Sequence, residues 1–282
     1  MGWTLDTFGM TDVGRRRARN EDHFYLNDEL RLYIVADGMG GHAAGEVASH
    51  TAVETIGDFA FTALNERDFT WPFGFDSKLT PPENMLLTAI KLANREICAL
   101  AEEKSEYNGM GTTIVGMSVL DEQAYVAHVG DSRLYRLRDD QLTQMTSDHS
   151  WVNEQIARSL ISEEEARTHR WRNVLTRALG NKHTIDVDLT RMNVLAGDSF
   201  ALCTDGLSGM IPDEEIHRIL RASSDAETAA RRLIQSANEA GGHDNITVLV
   251  IRVSDENAEP DPRKTRPIES ALSSDPNATV EL

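Results

Sequence analysis

The sequence predicts an α+β fold in which antiparallel sheets pack together beneath outer helices. Three observations carry this reading. Short apolar runs come in blocks instead of alternating one for one with helical stretches. Several of these runs are joined by short Asp-containing turns, which pair neighbouring strands antiparallel. The helical stretch over 83–104 carries its apolar residues on a single face.

In chain order, residues 3–12 and 23–36 read as strands on either side of a loop at 17–22, and 43–66 as a helix after the glycine-rich turn Asp37-Gly38-Met39-Gly40-Gly41. The pattern breaks over 69–82, where Trp71-Pro72-Phe73-Gly74-Phe75 and Pro81-Pro82 make a long connection whose aromatics are expected to pack on the core. Helical spacing returns over 83–104, with Leu86, Leu87, Ile90, Ala93, Ile97 and Leu100 on one face. Residues 112–119, 123–129 and 133–138 read as an antiparallel meander with turns at Asp121-Glu122 and Asp139-Asp140. Residues 147–177 are polar and helix-like, with a capped start at Ser162-Glu163-Glu164-Glu165 and no long apolar face, and so predict a flap. Strands follow at 185–195 and 199–203, helices at 212–221 and 226–240, and a last strand at 246–253. Residues 254–282, rich in Pro, Ser, Asp, Glu and Asn, have the composition of a disordered tail.

The chain has 282 residues, 40% of them hydrophobic, enough for a sizeable core in one large domain or two small ones. Its net charge is −18, of which about −14 lies in residues 1–253. Such an acidic chain lacks the basic stripe that displaces phosphate counterions, which argues against non-specific nucleic-acid binding. Cys98 and Cys203 lie in apolar stretches and read as two buried thiols of a reducing compartment. No apolar run is long enough to span a bilayer, the N-terminus has no leader pattern, and a cytoplasmic location is expected.

The acidic turns carry the chemistry. Asp22 closes Arg17-Ala18-Arg19-Asn20-Glu21-Asp22, Asp37 opens its glycine-rich turn, Asp205 lies in Thr204-Asp205-Gly206, and Asp244 precedes Asn245. The apolar runs 32–36 and 199–203 deliver Asp37 and Asp205 at strand ends, where two carboxylates can meet. Asp131, in Gly130-Asp131-Ser132-Arg133, is a fifth acid in a comparable position. Any one Asp-Gly is an ordinary turn. Together they suit a hard cation such as Mg²⁺ or Mn²⁺, which prefers carboxylate, carbonyl and water oxygens; glycine lets a backbone carbonyl approach as a further ligand.

In order along the chain, Gly14-x-x-Arg17-x-x-Asn20-Glu21-Asp22, Ala36-Asp37-Gly38-Met39-Gly40-Gly41-His42, Gly111-Thr112-Thr113, Val129-Gly130-Asp131-Ser132-Arg133, Asn173-x-Leu175-Thr176-Arg177-x-Leu179-Gly180, Thr204-Asp205-Gly206-Leu207 and His243-Asp244-Asn245-Ile246-Thr247-Val248 are found. This series resembles the bacterial branch of the metal-dependent serine/threonine protein phosphatases, type 2C, over residues 5–253. The resemblance implies a four-layer α-β-β-α sandwich of two antiparallel sheets, with residues 1–253 as the catalytic domain, a flap at about 147–177, and 254–282 as a tail. It implies two Mn²⁺ or Mg²⁺ ions, with Asp37 bridging both, the Gly38 carbonyl as a further ligand, and Asp205 and Asp244 completing one ion's shell. Glu21 and Asp22 would hold metal-bound waters, and Asp131 would help hold a third, weaker ion. Arg17 would bind the phosphate through its planar fork of N–H donors.

The activity implied is hydrolysis of protein phosphoserine and phosphothreonine by direct attack of a metal-bridging water, opposing a bacterial Ser/Thr kinase, in a monomer. The pattern departs from the family at two places. Met39 stands where eukaryotic members carry a His that protonates the leaving group, which leaves the general acid unassigned and His42 as a candidate. Gly209 stands where many relatives carry an acid, so a third ion would rest on Asp131 alone. Presence of Arg17, Asp37, Asp205 and Asp244 together argues against a non-catalytic metal-binding module; a small-molecule phosphohydrolase on the same scaffold stays open. In the tail, Thr279, with Leu282 three residues on, is a candidate phosphothreonine docking site for a forkhead-associated domain.

Overall fold

The structure, a computed structural model, describes residues 2–40, 44–66 and 69–255. In chain order the strands and helices are β1 (Trp3–Asp12), β2 (Asp22–Asn27), β3 (Leu32–Met39), α1 (Ala44–Asn65), α2 (Pro81–Glu103), β4 (Gly111–Thr112), β5 (Ile114–Leu120), β6 (Gln123–Val129), β7 (Arg133–Arg138) and β8 (Gln141–Gln144). There follow α3 (Trp151–Ala157), α4 (Glu163–Thr168), β9 (Asp188–Asn193), β10 (Ser199–Cys203), α5 (Asp205–Ser208), α6 (Asp213–Ala222), α7 (Ala226–Glu239) and β11 (Ile246–Asp255). Two sheets form, in the orders β1-β11-β10-β7-β8 and β2-β3-β5-β6-β9, with the short β4 added to β3. All the pairings are antiparallel.

The two-residue period of a strand sorts side chains between layers. In β3, Leu32, Ile34 and Ala36 face α1 and α2, and Tyr33 and Val35 face the other sheet. In β11, Val248 and Val250 pack on α6 and α7, and Leu249 and Ile251 point between the sheets. Burial on both faces explains why 32–36 and 199–203 are unbroken apolar runs. Helices α1 and α2 cover one sheet and α6 and α7 the other, giving the four layers that the resemblance implies.

The expected meander is corrected by the pairing. β5 and β6 form a hairpin, but β7 leaves that sheet at Gly130 and pairs with β10 and β8 in the other. The Gly130-Asp131-Ser132 segment is therefore a crossover between layers, with Gly130 at φ +110°. Added to it, a Cβ would lie 2.6 Å from the Thr113 side chain. Asp139 and Asp140, both at positive φ, turn β7 into β8, a polar strand that the apolar pattern does not reveal. The single strand expected at 23–36 is instead the hairpin β2–β3. In the 69–82 connection Phe69 and Trp71 pack with Phe59, as expected, but Phe73 and Phe75 remain exposed. Cys98 and Cys203 are buried free thiols. His42, Thr279 and the tail beyond Asp255 lie outside the described residues.

Candidate metal centre

Antiparallel order brings the C-terminal ends of β3, β6 and β10 and the N-terminal ends of β2, β7 and β11 to one edge of the sandwich. The five acids occupy that edge. Asp22 pairs directly with Asp37 across β2–β3, Asp205 opens α5 after β10, Asp244 precedes β11, and Asp131 lies in the crossover to β7. The Asp37 carboxyl is near enough to Asp22, Asp205, Asp131 and Asp244 for each of them to raise its pKa.

Asp37 and Asp22 are each held by a set of hydrogen bonds. Thr113 donates its N–H to the Asp37 carbonyl at 2.9 Å, and its Oγ1 accepts from the Asp37 N–H at 3.1 Å. The Thr112 hydroxyl donates to the same carbonyl at 2.8 Å. Thr113 Oγ1 also lies 2.7 Å from Ser132 Oγ, which ties the crossover to β3. Gly38 is enclosed, since a Cβ there would meet the Gly45 carbonyl at 2.1 Å and the Glu21 carbonyl at 2.5 Å. Asn245 clamps the Arg17–Asp22 loop: it accepts from the Glu21 N–H at 2.8 Å and donates to the carbonyls of Val13 and Arg19 at 3.0 and 2.8 Å. Asp22 is 3% exposed, and its Oδ2 accepts from the Thr204 and Thr247 hydroxyls at 2.9 and 2.8 Å.

The electrostatics follow from burying like charges together. Burial raises the Asp22 pKa to about 7, opposed by the two threonine hydrogen bonds and assisted by Asp205 and Asp244. Asp131 is likewise raised to about 7 by burial, then by Asp205 and Asp148. Asp205 rises to about 6 by burial and then Asp244. Asp37 is pushed well above the carboxylate range by burial and then by Asp22 and Asp205. The positive counterweights are Arg17, 2.8 Å from Asp244 at the rim, and Arg133, which grips Asp148. Glu21 is raised by burial, and its carboxyl reaches Gly45 in the first turn of α1. A cluster of mutually repelling carboxyl oxygens beside a backbone carbonyl is the donor chemistry of hard divalent cations, and in that chemistry the residues present fit such ions.

A second cluster lies beside the crossover. Among the described residues, His128, His149 and Asp188 bring one ligand atom each within 4.8 Å of one another. His128 and Asp188 face each other across β6–β9, and the two imidazoles stack with centroids 4.6 Å apart. Sequence reasoning missed this group, as it missed the parts played by Thr113, Ser132, Thr204 and Thr247. Thr113, Ser132, Thr204 and Thr247 all lie in motifs of the sequence series, but the contacts they make depend on strand pairing.

Comparison with known proteins agrees with this fold and gives its family. The protein phosphatase 2C family model matches residues 14–247. The chain is 40% identical over 248 residues to the serine/threonine phosphatase stp of Listeria innocua, covering 86% of this chain and 93% of the relative. It is 35% identical over 257 residues to the protein phosphatase PhpP of Streptococcus pneumoniae, covering 89% and 98%. The solved Mycobacterium tuberculosis serine/threonine phosphatase PstP/Ppp superposes with a TM-score of 0.78 at 36% identity, covering 89% of this chain and 99% of that one. A PstP catalytic domain in complex with two manganese ions superposes at 0.77 and 35% identity, covering 90% and all of that chain. The chain belongs to the protein phosphatase 2C family.

Proposed function

We propose that this protein hydrolyses phosphoserine and phosphothreonine in proteins at a two-metal centre built from Asp37, the Gly38 carbonyl, Asp205 and Asp244. The observation that carries the reading is the buried meeting of Asp37, Asp205 and Asp22 at one sandwich edge with Arg17 at its rim. When bound, the two divalent ions supply Lewis-acid polarisation of the phosphoryl group and a water acidic enough to attack at neutral pH. The chain's own residues do the rest. Arg17, half exposed and already hydrogen-bonding one carboxylate, presents guanidinium N–H donors to phosphate oxygens. Asp22 and Glu21 stand behind the ligands, and the Asp22 carboxylate is oriented by Thr204 and Thr247.

Asp131 as the ligand of a third, weaker Mn²⁺ or Mg²⁺ ion belongs to the same proposal, and Gly209 contributes no carboxylate there. Residues 1–253 form the catalytic domain in this reading, and α3 and α4 lie within its flap. The substrates are phosphoproteins, as the names of the relatives support, and in this reading a bacterial Ser/Thr kinase makes them. The free buried thiols support a reducing, cytoplasmic setting. No helix of the described residues is long and apolar enough to cross a membrane. A forkhead-associated partner at Thr279 rests on the tail sequence alone; mass spectrometry of protein from kinase-containing cells that never finds Thr279 phosphorylated would remove it.

The test is phosphate release from a phosphothreonine peptide with and without Mn²⁺, comparing the native chain with Asp205→Ala. Turnover that needs Mn²⁺ and collapses in the variant is expected. A folded, metal-loaded native chain that releases no phosphate contradicts the proposal.

A further inference from the structure

His149 is buried at the near root of the flap and makes contacts in four directions. Its backbone N–H donates to the Gly130 carbonyl at 2.8 Å, and its carbonyl accepts from the Thr176 N–H at the far root, also at 2.8 Å. Its ring Nδ1 lies 3.0 Å from the Gly130 nitrogen, and its Nε2 lies 3.2 Å from Asp188 Oδ2. A backbone N–H can only donate, so Nδ1 is the acceptor and the ring is the Nε2–H tautomer, which donates to Asp188. Arg177 holds the other oxygen of Asp188 at 2.7 Å.

This tautomer also settles what the cluster is not. A neutral imidazole has one in-plane lone pair, and Gly130 takes it at Nδ1, leaving His149 none for a metal at Nε2. His128, with its Nε2 3.0 Å from the Ser147 carbonyl, donates in the same way. The His128–His149–Asp188 group is therefore a hydrogen-bonded clasp and not a metal site.

We propose that His149 is a positioning residue, clasped by Asp188 and Arg177, that joins both roots of the flap to the crossover carrying Asp131. Its Nδ1 accepts from the buried N–H of Gly130, the residue immediately before Asp131. Backbone pairing closes the flap's two roots, His149 with Thr176 and Ser150 with Leu175, and the ring braces that junction from the side through Asp188 to Arg177. A change at His149 thus reaches the Asp131 backbone and the flap together. The effect on turnover rests on the phosphatase reading above; the effect on backbone protection does not.

The experiment is hydrogen–deuterium exchange by mass spectrometry on the full chain with Mn²⁺, read at peptides covering 130–132, 147–151 and 174–178, alongside kcat and KM for a phosphothreonine peptide. His149→Ala removes the acceptor and is expected to speed exchange at 130–132 at least about tenfold and to lower kcat more than it raises KM. His149→Asn, whose Oδ1 falls near the position of Nδ1, is expected to restore slow exchange at 130–132 and most of kcat. Asp188→Ala leaves the ring in place but frees its tautomer, and is expected to speed the same segment by a smaller factor. Unchanged exchange at 130–132 in folded His149→Ala overturns the proposal. So does the same result in Asp188→Ala if His149→Ala does not fold, or a His149→Asn protein no better protected than His149→Ala. Faster exchange in the variants of a chain that never releases phosphate would uphold the clasp and sink the phosphatase reading separately.

Discussion

Removing divalent cations should make this protein less stable at high pH than at mildly acid pH, and the size of the effect follows from the buried acids. Asp22 has an ordinary pKa of 3.8 and a folded value of about 7. Between those values the folded chain holds a proton that the unfolded chain has released. A raised carboxyl therefore costs stability in full above about pH 7, and that cost disappears as pH falls toward 3.8. From pH 8 to pH 5 the relief from Asp22 alone is about 2–3 kcal/mol. In a domain of this size that moves the melting temperature by roughly 5–10 °C, and Asp131 and Asp205 shift in the same direction. Asp188, whose pKa is lowered by its partners His149 and Arg177 against the opposing effect of burial, loses its contribution only below the ordinary carboxylate range, outside this window. The assay is a thermal melt in EDTA at pH 5 and pH 8, repeated with Mn²⁺. Cations bind the ionised carboxylates, so Mn²⁺ should stabilise more at pH 8 than at pH 5. Asp22→Asn should flatten the EDTA slope. An EDTA-treated protein that melts at the same or a higher temperature at pH 8 would refute the reasoning.

Other consequences can be checked one by one. Asn245→Ala breaks three hydrogen bonds that hold the Arg17–Asp22 loop; urea unfolding should show a loss of about 3 kcal/mol, with Mn²⁺ affinity reduced as well. Thr113→Val keeps the shape but orphans the Asp37 N–H and the Ser132 hydroxyl; calorimetry should find weaker Mn²⁺ binding at a stability cost of about 1–3 kcal/mol, and unaltered binding would mean that Asp37 does not depend on this anchor. Deleting residues 150–170, which removes Trp151 and His169 from their ring cluster with Trp171, should reduce activity on phosphopeptides more than on a small aryl phosphate. Equal losses on both would deny the flap a part in selecting substrates.

What was legible in the sequence was whatever is local in the chain. The apolar runs at 32–36 and 199–203 and the helical face from Leu86 to Leu100 reflect burial in a single element, and the structure places them where expected. The acids Asp22, Asp37, Asp131, Asp205 and Asp244 were visible because each sits in a turn with its own signature. Choice of sheet was not visible: β6 and β7 are separated only by Gly130-Asp131-Ser132, as a hairpin would be, and only the positive φ of Gly130 and its packing on Thr113 turn the chain into the other layer. Strand β8 was hidden because a polar edge strand pairs through its backbone. The clasp around His149 was illegible because its members span residues 128 to 188 and meet only once β6 and β9 are in register.

The most direct measurement is the number of manganese ions held per chain, by equilibrium dialysis with metal analysis, for the native protein and for Asp37→Asn, with phosphate release followed on the same samples. The account predicts two tightly held ions in the native chain, a loss of tight binding in the variant, and phosphate release only from the samples that hold both. Fewer than two ions in an active native protein, or an Asp37→Asn chain that keeps both ions and full activity, would contradict it.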